Sequence, residues 1–186
     1  VGSYTVTVTD QHNCFDTMTV VVPYHPMPEL TLSVTPAYCD RNDGTATVSG
    51  ANLGIYNYNW NSTPNPNTPT NDQLYAGDYH LIVDDGVCEL NFLFTIDNIP
   101  GPTAIFTADP TTFLEGNTVN YQDHSIGSIE TWEYDFGDGN YGHQPSVLHL
   151  YQEPGMYWTT LTVTDEHNCF DTAMILITVL PDVVIY

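Results

Sequence analysis

The chain has 186 residues and a strongly unbalanced charge: 23 aspartates and glutamates face a single basic residue, Arg41, which gives a formal net charge of −22. Such a surface repels phosphate backbones and anionic lipid headgroups, so the composition argues against nucleic-acid binding and against binding to anionic membranes. No stretch is long and apolar enough to predict insertion into a membrane. The classes of partner that remain are cations, basic surfaces and neutral sugars.

Alternating runs of apolar and polar residues recur along the chain, and each run is bounded by a cluster of turn-forming residues. The sequence shows no sustained 3.6-residue spacing of apolar residues, whereas glycine and proline contribute 13 residues each. This pattern predicts an all-β fold made of sandwich domains. In chain order, predicted strands cover residues 4–8, 45–48, 56–60, 79–83 and 92–96.

An eleven-residue sequence, called here the repeated phrase, occurs twice, at residues 7–17 and 162–172. The two copies differ only at Gln11 and Glu166. A looser version lies between them, at residues 77–88. A unit repeated along a chain predicts an array of similar small domains. A Gly-x-Tyr motif stands at or shortly before the start of each copy, at Gly2/Tyr4, Gly77/Tyr79 and Gly155/Tyr157. We expect its tyrosine to form a tyrosine corner, with a buried ring and a hydroxyl that donates to the upstream backbone.

Proline-rich segments divide the chain into sections. Residues 1–22 read as the terminal hairpin of one domain, with its turn near Asp10, and a stiff junction follows at Pro23, Pro26 and Pro28. The second domain is predicted over residues 27–98 and the third over residues 102–180, followed by a short apolar end at residues 181–186. In the third domain the alternation places Trp158 on the outside. The same alternation points the side chains of Tyr157, Thr159, Leu161 and Val163 toward the core.

Residues 132–139 of the third domain read Trp-Glu-Tyr-Asp-Phe-Gly-Asp-Gly, and His149-Leu-Tyr, Gly155-Met-Tyr and Leu161-Thr-Val follow in order. This domain resembles a PKD domain, the immunoglobulin-like module named after polycystin. The resemblance implies an immunoglobulin-like β-sandwich. Asp138-Gly139 fits a tight turn with positive φ, so we interpret these carboxylates as turn-formers, and His149 as structural.

The second domain resembles the SprB repeat of cell-surface adhesins from gliding bacteria. The residues that carry this resemblance are Cys39, Asp43–Ala46, Tyr56, Tyr58, Trp60, Leu74–Tyr79, Val83, Asp85 and Cys88. Residues 1–22 resemble the end of another such repeat, so the fold class implied is tandem immunoglobulin-like β-sandwiches, a SprB-like repeat followed by a PKD domain. Tandem domains of these kinds are typical of large proteins exported by the type 9 secretion system of the Bacteroidota. Residues 181–186 resemble the lead-in to the sorting domain of those proteins.

Four cysteines in an exported β array predict disulfides. Cys39 and Cys88 open and close the same repeat, and we predict that they pair. Cys14 would then pair with a residue upstream of Val1. Cys169 finds no partner within its own domain, so it is either free or bonded outside that domain. Zinc is disfavoured because the cysteines show no C-x-x-C spacing.

Short acidic turns make calcium the one candidate cofactor. Hard oxygen ligands lie close together in sequence at Asp40, Asn42, Asp43, Asp84 and Asp85, although they form no complete EF-hand. Thr17 and Thr172 fit the Asp-Thr-apolar pattern of bacterial O-glycosylation. Glu130 and Glu133 imitate a glycosidase carboxylate pair, but their spacing on a strand points them to opposite faces. His143 lies near no nucleophile motif, and we expect no enzymatic activity.

The leading hypothesis is a non-enzymatic structural or adhesive segment of a large cell-surface protein or filament, which spaces and displays a binding region. Its expected partners are other domains of the same polypeptide, neighbouring chains in a fibre and surface glycans. One alternative is a carbohydrate-binding module in which Trp60 and Trp158 stack on neutral sugars. Another alternative is an accessory domain of a secreted hydrolase.

Overall fold

The computed structural model describes residues 1–23 and 29–182, and strands dominate it, which confirms the all-β prediction. Within these residues no helix has the length and apolar character needed to cross a membrane. Two of the predicted junction prolines, Pro26 and Pro28, lie outside the described residues. The predicted lead-in at residues 181–186 is described only as far as Asp182.

The first section is a two-stranded antiparallel hairpin, β1 Gly2–Thr9 and β2 Phe15–Val22. Residues 10–14 form its turn, near Asp10 as predicted. The apolar side chains along the hairpin face solvent: Val6 is 57% exposed and Val8 is 67% exposed. The described residues therefore give this hairpin no core of its own.

The elements of the second section are β3 Leu30–Thr35, β4 Ala37–Tyr38, β5 Gly44–Gly50, a 3-10 helix Leu53–Ile55, β6 Asn57–Trp60, β7 Thr70–Leu74, β8 Gly77–Asp84, β9 Glu89–Ile96 and β10 Asn98–Ile99. They form a sandwich of two three-stranded antiparallel sheets, β3-β5-β7 and β6-β8-β9, closed by a short parallel pair, β4-β10. The core between the sheets is formed by Ala37, Ala46, Val48, Tyr58, Trp60, Leu74, Leu81, Val83 and Ile96.

The strands of the third section are β11 Phe106–Asp109, β12 Thr112–Leu114, β13 Thr118–Asp123, β14 Thr131–Asp135, β15 Tyr141–Gly142, β16 Ser146–Leu150, β17 Gly155–Thr164 and β18 Phe170–Leu180. They form a three-stranded sheet, β11-β13-β16, packed on a five-stranded sheet, β12-β18-β17-β14-β15. The buried core is formed by Ala104, Phe106, Val119, Tyr121, Tyr134, Phe136, Tyr151, Leu161, Val163, Ile177 and Val179. Tandem immunoglobulin-like sandwiches are thus the fold of the chain.

The alternation predicted for β17 is confirmed. Thr159, Leu161 and Val163 are fully buried, whereas Trp158 is 56% exposed. Both predicted tyrosine corners that belong to a complete sandwich also form. The Tyr79 hydroxyl donates to the Tyr75 carbonyl at 3.0 Å, and the Tyr157 hydroxyl donates to the Glu153 carbonyl at 3.0 Å.

Candidate functional site

A disulfide joins the two sandwiches, linking Cys39 of the second section to Cys169 of the third across 130 positions of sequence. The Cα atoms are 6.0 Å apart, within the usual range for a disulfide. The predicted Cys39–Cys88 pair is therefore wrong, and Cys14 and Cys88 carry free thiols. The expectation that Cys169 is either free or bonded outside its own domain resolves to the second case.

Sheet geometry explains why Cys39 cannot reach Cys88. Parallel pairing of β4 with β10 places the Cys39 amide against the Ile99 carbonyl, 2.9 Å away. Cys88 comes immediately before the first residue of β9, whereas β10 follows the last. The eight residues of β9 therefore separate the two cysteines by about 27 Å. That separation far exceeds the distance a disulfide bridges. Cys39 therefore lies at the exit of its sandwich, where the next domain begins.

The loop that carries Cys39 is held in shape by its own polar groups. Cys39 and Asp40 both have positive φ, 54° and 56°. The Asp43 carboxylate accepts from the Tyr38 amide at 2.8 Å and from Arg41 Nε at 3.1 Å. Asp40 exchanges two hydrogen bonds with Asn98, next to the end of the sandwich. These contacts fix residues 38–43, called here the cysteine loop, against β10.

The turn that carries Cys169, residues 165–169, is built around one buried carboxylate. Asp165 is 8% exposed, and its Oδ1 accepts from the His167 and Cys169 amides, each at 2.9 Å. The Asp165 amide donates to the Cys169 carbonyl, and the Asn168 amide donates to the Asp165 carbonyl. Asn168 takes φ 58°, a left-handed conformation that asparagine tolerates. We call this segment the docking turn.

Two contacts flank the disulfide at this junction, and a glycine leaves room for it. The Tyr38 and His167 rings stack, with centroids 3.7 Å apart. Arg41 Nη2 donates to the His167 carbonyl at 2.8 Å, so the single basic residue of the chain bridges the two domains. The backbone at Gly101 passes close to the disulfide, and only glycine fits there because a Cβ would lie 2.9 Å from the Cys169 Cβ. Sequence reasoning missed these residues, although Arg41, two positions after Cys39, and the repeated His-Asn-Cys were signals.

The structure does not gather the predicted calcium ligands into one group. Asp84 accepts from the Gly86 amide, and Asp85 accepts from the Val87 and Cys88 amides, so both shape the β8–β9 turn. Asp40 and Asp43 hold the cysteine loop instead. Within residues 1–23 and 29–182, the one cluster of three His, Cys, Asp or Glu side chains with ligand spacing is Cys39, Asp165 and Cys169, and its two sulfurs form the disulfide.

Polar groups buried in the third section stabilise its turns. His149 Nε2 lies 2.7 Å from Asp138 Oδ2, and the His149 ring stacks on Phe136 with centroids 3.9 Å apart. Burial would raise the pKa of the Asp138 carboxyl, but hydrogen bonds from His149 and Asn140 outweigh it and lower the pKa below its ordinary value. The arrangement supports the interpretation of Asp138 and His149 as structural.

A second buried network joins the hydroxyls of Tyr121, Tyr151 and Thr159, which lie 2.9–3.0 Å apart. Burial raises the pKa of Tyr121 and of Tyr151 above the usual value. Tyr151 also donates to the Phe136 carbonyl at 3.0 Å. This network ties the two sheets of the third section together.

The two tryptophans predicted to bind sugars have different surroundings. Trp60 is 2% exposed, packs edge-on against Phe94 and donates from Nε1 to the Thr68 carbonyl at 3.1 Å. A sugar cannot stack on a ring buried in the core, so the prediction for Trp60 is wrong. Trp158 stands on the outer face of the large sheet between the exposed Met156 and Met174.

The remaining candidate residues lie on the surface. Thr17 and Thr172 are exposed and follow the first residues of β2 and β18, at equivalent points of the two repeated phrases. Glu130 lies just before β14 and Glu133 lies within it, and both are exposed. His143 follows β15 and is also exposed.

The matches to known proteins include a known domain family that covers the third section of the chain. Residues 100–179 match the model of the PKD domain family. Collagenase ColA of Clostridium perfringens is 31% identical to this chain over 85 residues, which cover 44% of the chain and 8% of the collagenase. The PKD1 domain of the Vibrio cholerae metalloprotease PrtV is 33% identical, covers 42% of this chain and 95% of its own, and gives a TM-score of 0.37.

One solved chain, from a study of carbohydrate-binding modules of the β-sandwich superfamily, is 32% identical, with 43% of this chain and 34% of that chain covered and a TM-score of 0.42. The chain thus spans about a twelfth of the collagenase and about a third of the carbohydrate-binding structure. The family match and the sandwich geometry agree on the same stretch. Residues 100–179 of this chain form a PKD domain.

Proposed function

We propose that this chain is a non-enzymatic spacer segment of a large exported cell-surface adhesin or filament protein, which holds a distal binding region away from the cell. The disulfide between Cys39 and Cys169 is the observation that carries this proposal, because it joins the first loop of one sandwich to the last turn of the next. The repeated phrase, the high negative charge and the resemblance to SprB repeats support an exported array of the type 9 secretion kind. Its partners are the neighbouring domains of the same polypeptide and adjacent chains in a fibre.

The position of the disulfide matters for a chain under tension. Every strand of the two sandwiches except β3, β4 and β18 lies between Cys39 and Cys169, so a force that reaches this stretch passes through the sulfur–sulfur bond. The enclosed residues cannot extend while that bond is intact. A spacer that keeps its length under load needs this property, whereas a module free in solution does not.

Single-molecule pulling on the two ends of the chain tests the spacer function. The disulfide encloses 130 positions, and at about 3.5 Å per residue its reduction should release about 450 Å of additional contour length. Cys39→Ser/Cys169→Ser should show the long extension without a reductant. Cys14→Ser/Cys88→Ser, which also replaces two cysteines but leaves the disulfide intact, should behave as the unaltered chain. Equal extension with and without reductant would contradict the proposal.

Localisation supplies the second test. Antibodies against the chain should label thin structures on intact cells of the source organism in electron micrographs. Label confined to the culture medium would contradict the spacer function and favour an accessory role beside a secreted enzyme.

The alternative, an accessory or carbohydrate-binding module of a secreted hydrolase, is supported by the exposed Trp158 and by the similarity of the PKD region to part of a collagenase. An exposed indole on the outer face of a sheet suits stacking on a sugar or packing on a fibrous protein. Binding to a glycan array or to collagen fibrils that is lost in Trp158→Ala would support this alternative. Phe170→Ala, which removes another exposed aromatic at the far end of the strand pair, is the matched control.

A further inference from the structure

The hairpin of residues 2–22 carries a second copy of the docking turn. In residues 10–14 the Asp10 amide donates to the Cys14 carbonyl at 2.9 Å, and the Asn13 amide donates to the Asp10 carbonyl at 3.1 Å. Asp10 Oδ1 accepts from the His12 and Cys14 amides at 2.7 and 3.0 Å. These are the four hydrogen bonds of residues 165–169, and Asn13 takes the same left-handed φ, 63°.

The two copies differ in what they contact. In the docking turn the His167 side chain is 35% exposed under the Tyr38 ring, and Cys169 is 4% exposed in its disulfide. In residues 10–14 the His12 side chain is 75% exposed, and Cys14 is an exposed free thiol. The same geometry is therefore built twice, and one copy shows directly what it binds.

The strands that carry the two turns also correspond. Residues 7–17 and 162–172 share one phrase, and in this register Val6 and Val8 take the places of Leu161 and Val163. The latter two are fully buried in the PKD core, whereas the two valines are exposed. Residues 2–22 therefore have the pattern of the closing hairpin of a sandwich, the element that bears the docking turn in the PKD domain.

We propose that residues 10–14 are a docking site for the cysteine loop of another sandwich unit of the same array, and that Cys14 forms a disulfide with the cysteine of that loop. The proposal rests on the function proposed above. The partner loop is of the Tyr-Cys-Asp-Arg kind seen at residues 38–41: its tyrosine stacks on His12 and its arginine donates to the His12 carbonyl. Its source is the unit that precedes the hairpin, as the second section precedes the PKD domain.

The covalent step needs an oxidant. Two thiols form one disulfide and release two protons and two electrons, which an external disulfide such as oxidised glutathione takes up by becoming two thiols. Association of the loop with the turn places the two sulfurs together before this exchange. His12 acts as a positioning residue and takes no part in the electron transfer.

Cys88 offers an internal comparison. Its turn, residues 85–88, is one residue shorter and has Val87 in place of the histidine. Asp85 Oδ1 accepts from the Val87 and Cys88 amides, so the backbone follows a different path. A ring that stacks on tyrosine is missing from this turn, and we expect Cys88 to select the cysteine loop poorly.

The test uses full-length chains in trans, with the cysteine loop of a second copy as the probe. The donor is Cys14→Ser/Cys88→Ser/Cys169→Ser, whose single thiol, Cys39, is first converted to a mixed disulfide with glutathione. The acceptor is the unaltered chain with free Cys14 and Cys88. Attack by a thiol of the acceptor on the Cys39 sulfur releases glutathione and leaves a protein–protein disulfide. Mass spectrometry of non-reduced peptides identifies the sulfur that reacted.

The amount of product at each acceptor thiol is divided by the rate at which that thiol reacts with oxidised glutathione. This correction removes the effect of differences in exposure between the two thiols. We expect at least tenfold more Cys39–Cys14 than Cys39–Cys88 product after this correction, and a loss of several-fold in His12→Ala. A corrected ratio near one, or no effect of His12→Ala, would overturn the proposal. The pulling experiment depends on neither result, so failure here leaves the spacer function standing.

A second measurement avoids the triple variant if it folds poorly. The full chain with His167→Ala is reduced and then reoxidised with glutathione at high protein concentration. Cys39 can then pair with Cys169 of the altered turn in its own chain or with Cys14 of the intact turn in a second chain. The proposal predicts Cys39–Cys14 disulfides in head-to-tail multimers. Exclusive return to Cys39–Cys169, or random pairing with Cys88, would overturn it.

Discussion

The imidazole ring of His167 lies flat on the phenol ring of Tyr38, with centroids 3.7 Å apart and planes 14° from parallel. The two residues belong to different sandwiches, and Arg41 and the Cys39–Cys169 disulfide flank them. The junction therefore combines a covalent bond with two specific contacts. An array built with such junctions has defined angles between its domains.

The first prediction concerns this stacked pair. In the reduced chain, His167→Ala should lower the free energy of unfolding by about 1 kcal/mol, the usual contribution of an aromatic pair. His12→Ala removes the same residue type from the same turn geometry, where the side chain is 75% exposed, and it should leave the stability unchanged. Denaturant unfolding of both variants checks this. Equal effects would show that the Tyr38 contact contributes nothing.

The second prediction is a pH dependence set by Asp138. Because its pKa is lowered in the fold, its contribution to stability is fully present above the ordinary carboxyl pKa and is lost as the pH falls through the lowered value. Asp138→Asn should therefore cost about 2 kcal/mol at neutral pH, as expected for a hydrogen bond to a charged group. Unfolding curves of the two proteins should converge in acid, and a gap that stays constant with pH would contradict the assignment.

The third prediction separates two glycines of the Asp-Phe-Gly-Asp-Gly turn. Both have positive φ, 80° at Gly137 and 89° at Gly139, so alanine is strained at either position by about 1–2 kcal/mol. At Gly137 an added Cβ would also lie 2.8 Å from the Trp158 carbonyl oxygen, whereas at Gly139 it meets no atom within 4 Å. Thermal melting should show a much larger loss for Gly137→Ala than for Gly139→Ala.

The fourth prediction contrasts the two tryptophans. Trp60→Ala should destabilise the second sandwich by about 3–5 kcal/mol, because it opens a cavity in the core and leaves the Thr68 carbonyl without its donor. Trp158→Ala should change the stability by less than about 0.5 kcal/mol, because the side chain is largely in solvent. Similar losses in the two variants would mean that Trp158 has a packing role.

Much of the fold could be predicted because strand alternation is a local signal. The inward and outward positions of β17 follow from its residues alone, and so do the corners at Tyr79 and Tyr157. The β4–β10 pair could not be predicted, because two-residue strands carry no period. Burial of Trp60 requires knowing which face of β6 meets the opposite sheet, and that depends on tertiary packing.

The disulfide pairing also could not be predicted from local sequence. Assigning Cys39 and Cys88 to one repeat predicted that they pair, but membership of a repeat says nothing about the end of the sandwich at which each cysteine lies. The length of β9 separates them, and the parallel pair β4–β10 turns Cys39 toward the next domain. A pairing between domains depends on how the domains are joined at Gly101, which no local pattern records.

Mapping of the native disulfide tests the central claim most directly. The protein is alkylated without reduction, digested and analysed by mass spectrometry. For the isolated 186-residue chain the structure predicts one cross-linked pair of peptides that joins Cys39 to Cys169, with Cys14 and Cys88 both alkylated, because the loop proposed to pair with Cys14 belongs to another unit of the array. A peptide pair joining Cys39 to Cys88, or alkylation of all four cysteines, would contradict it.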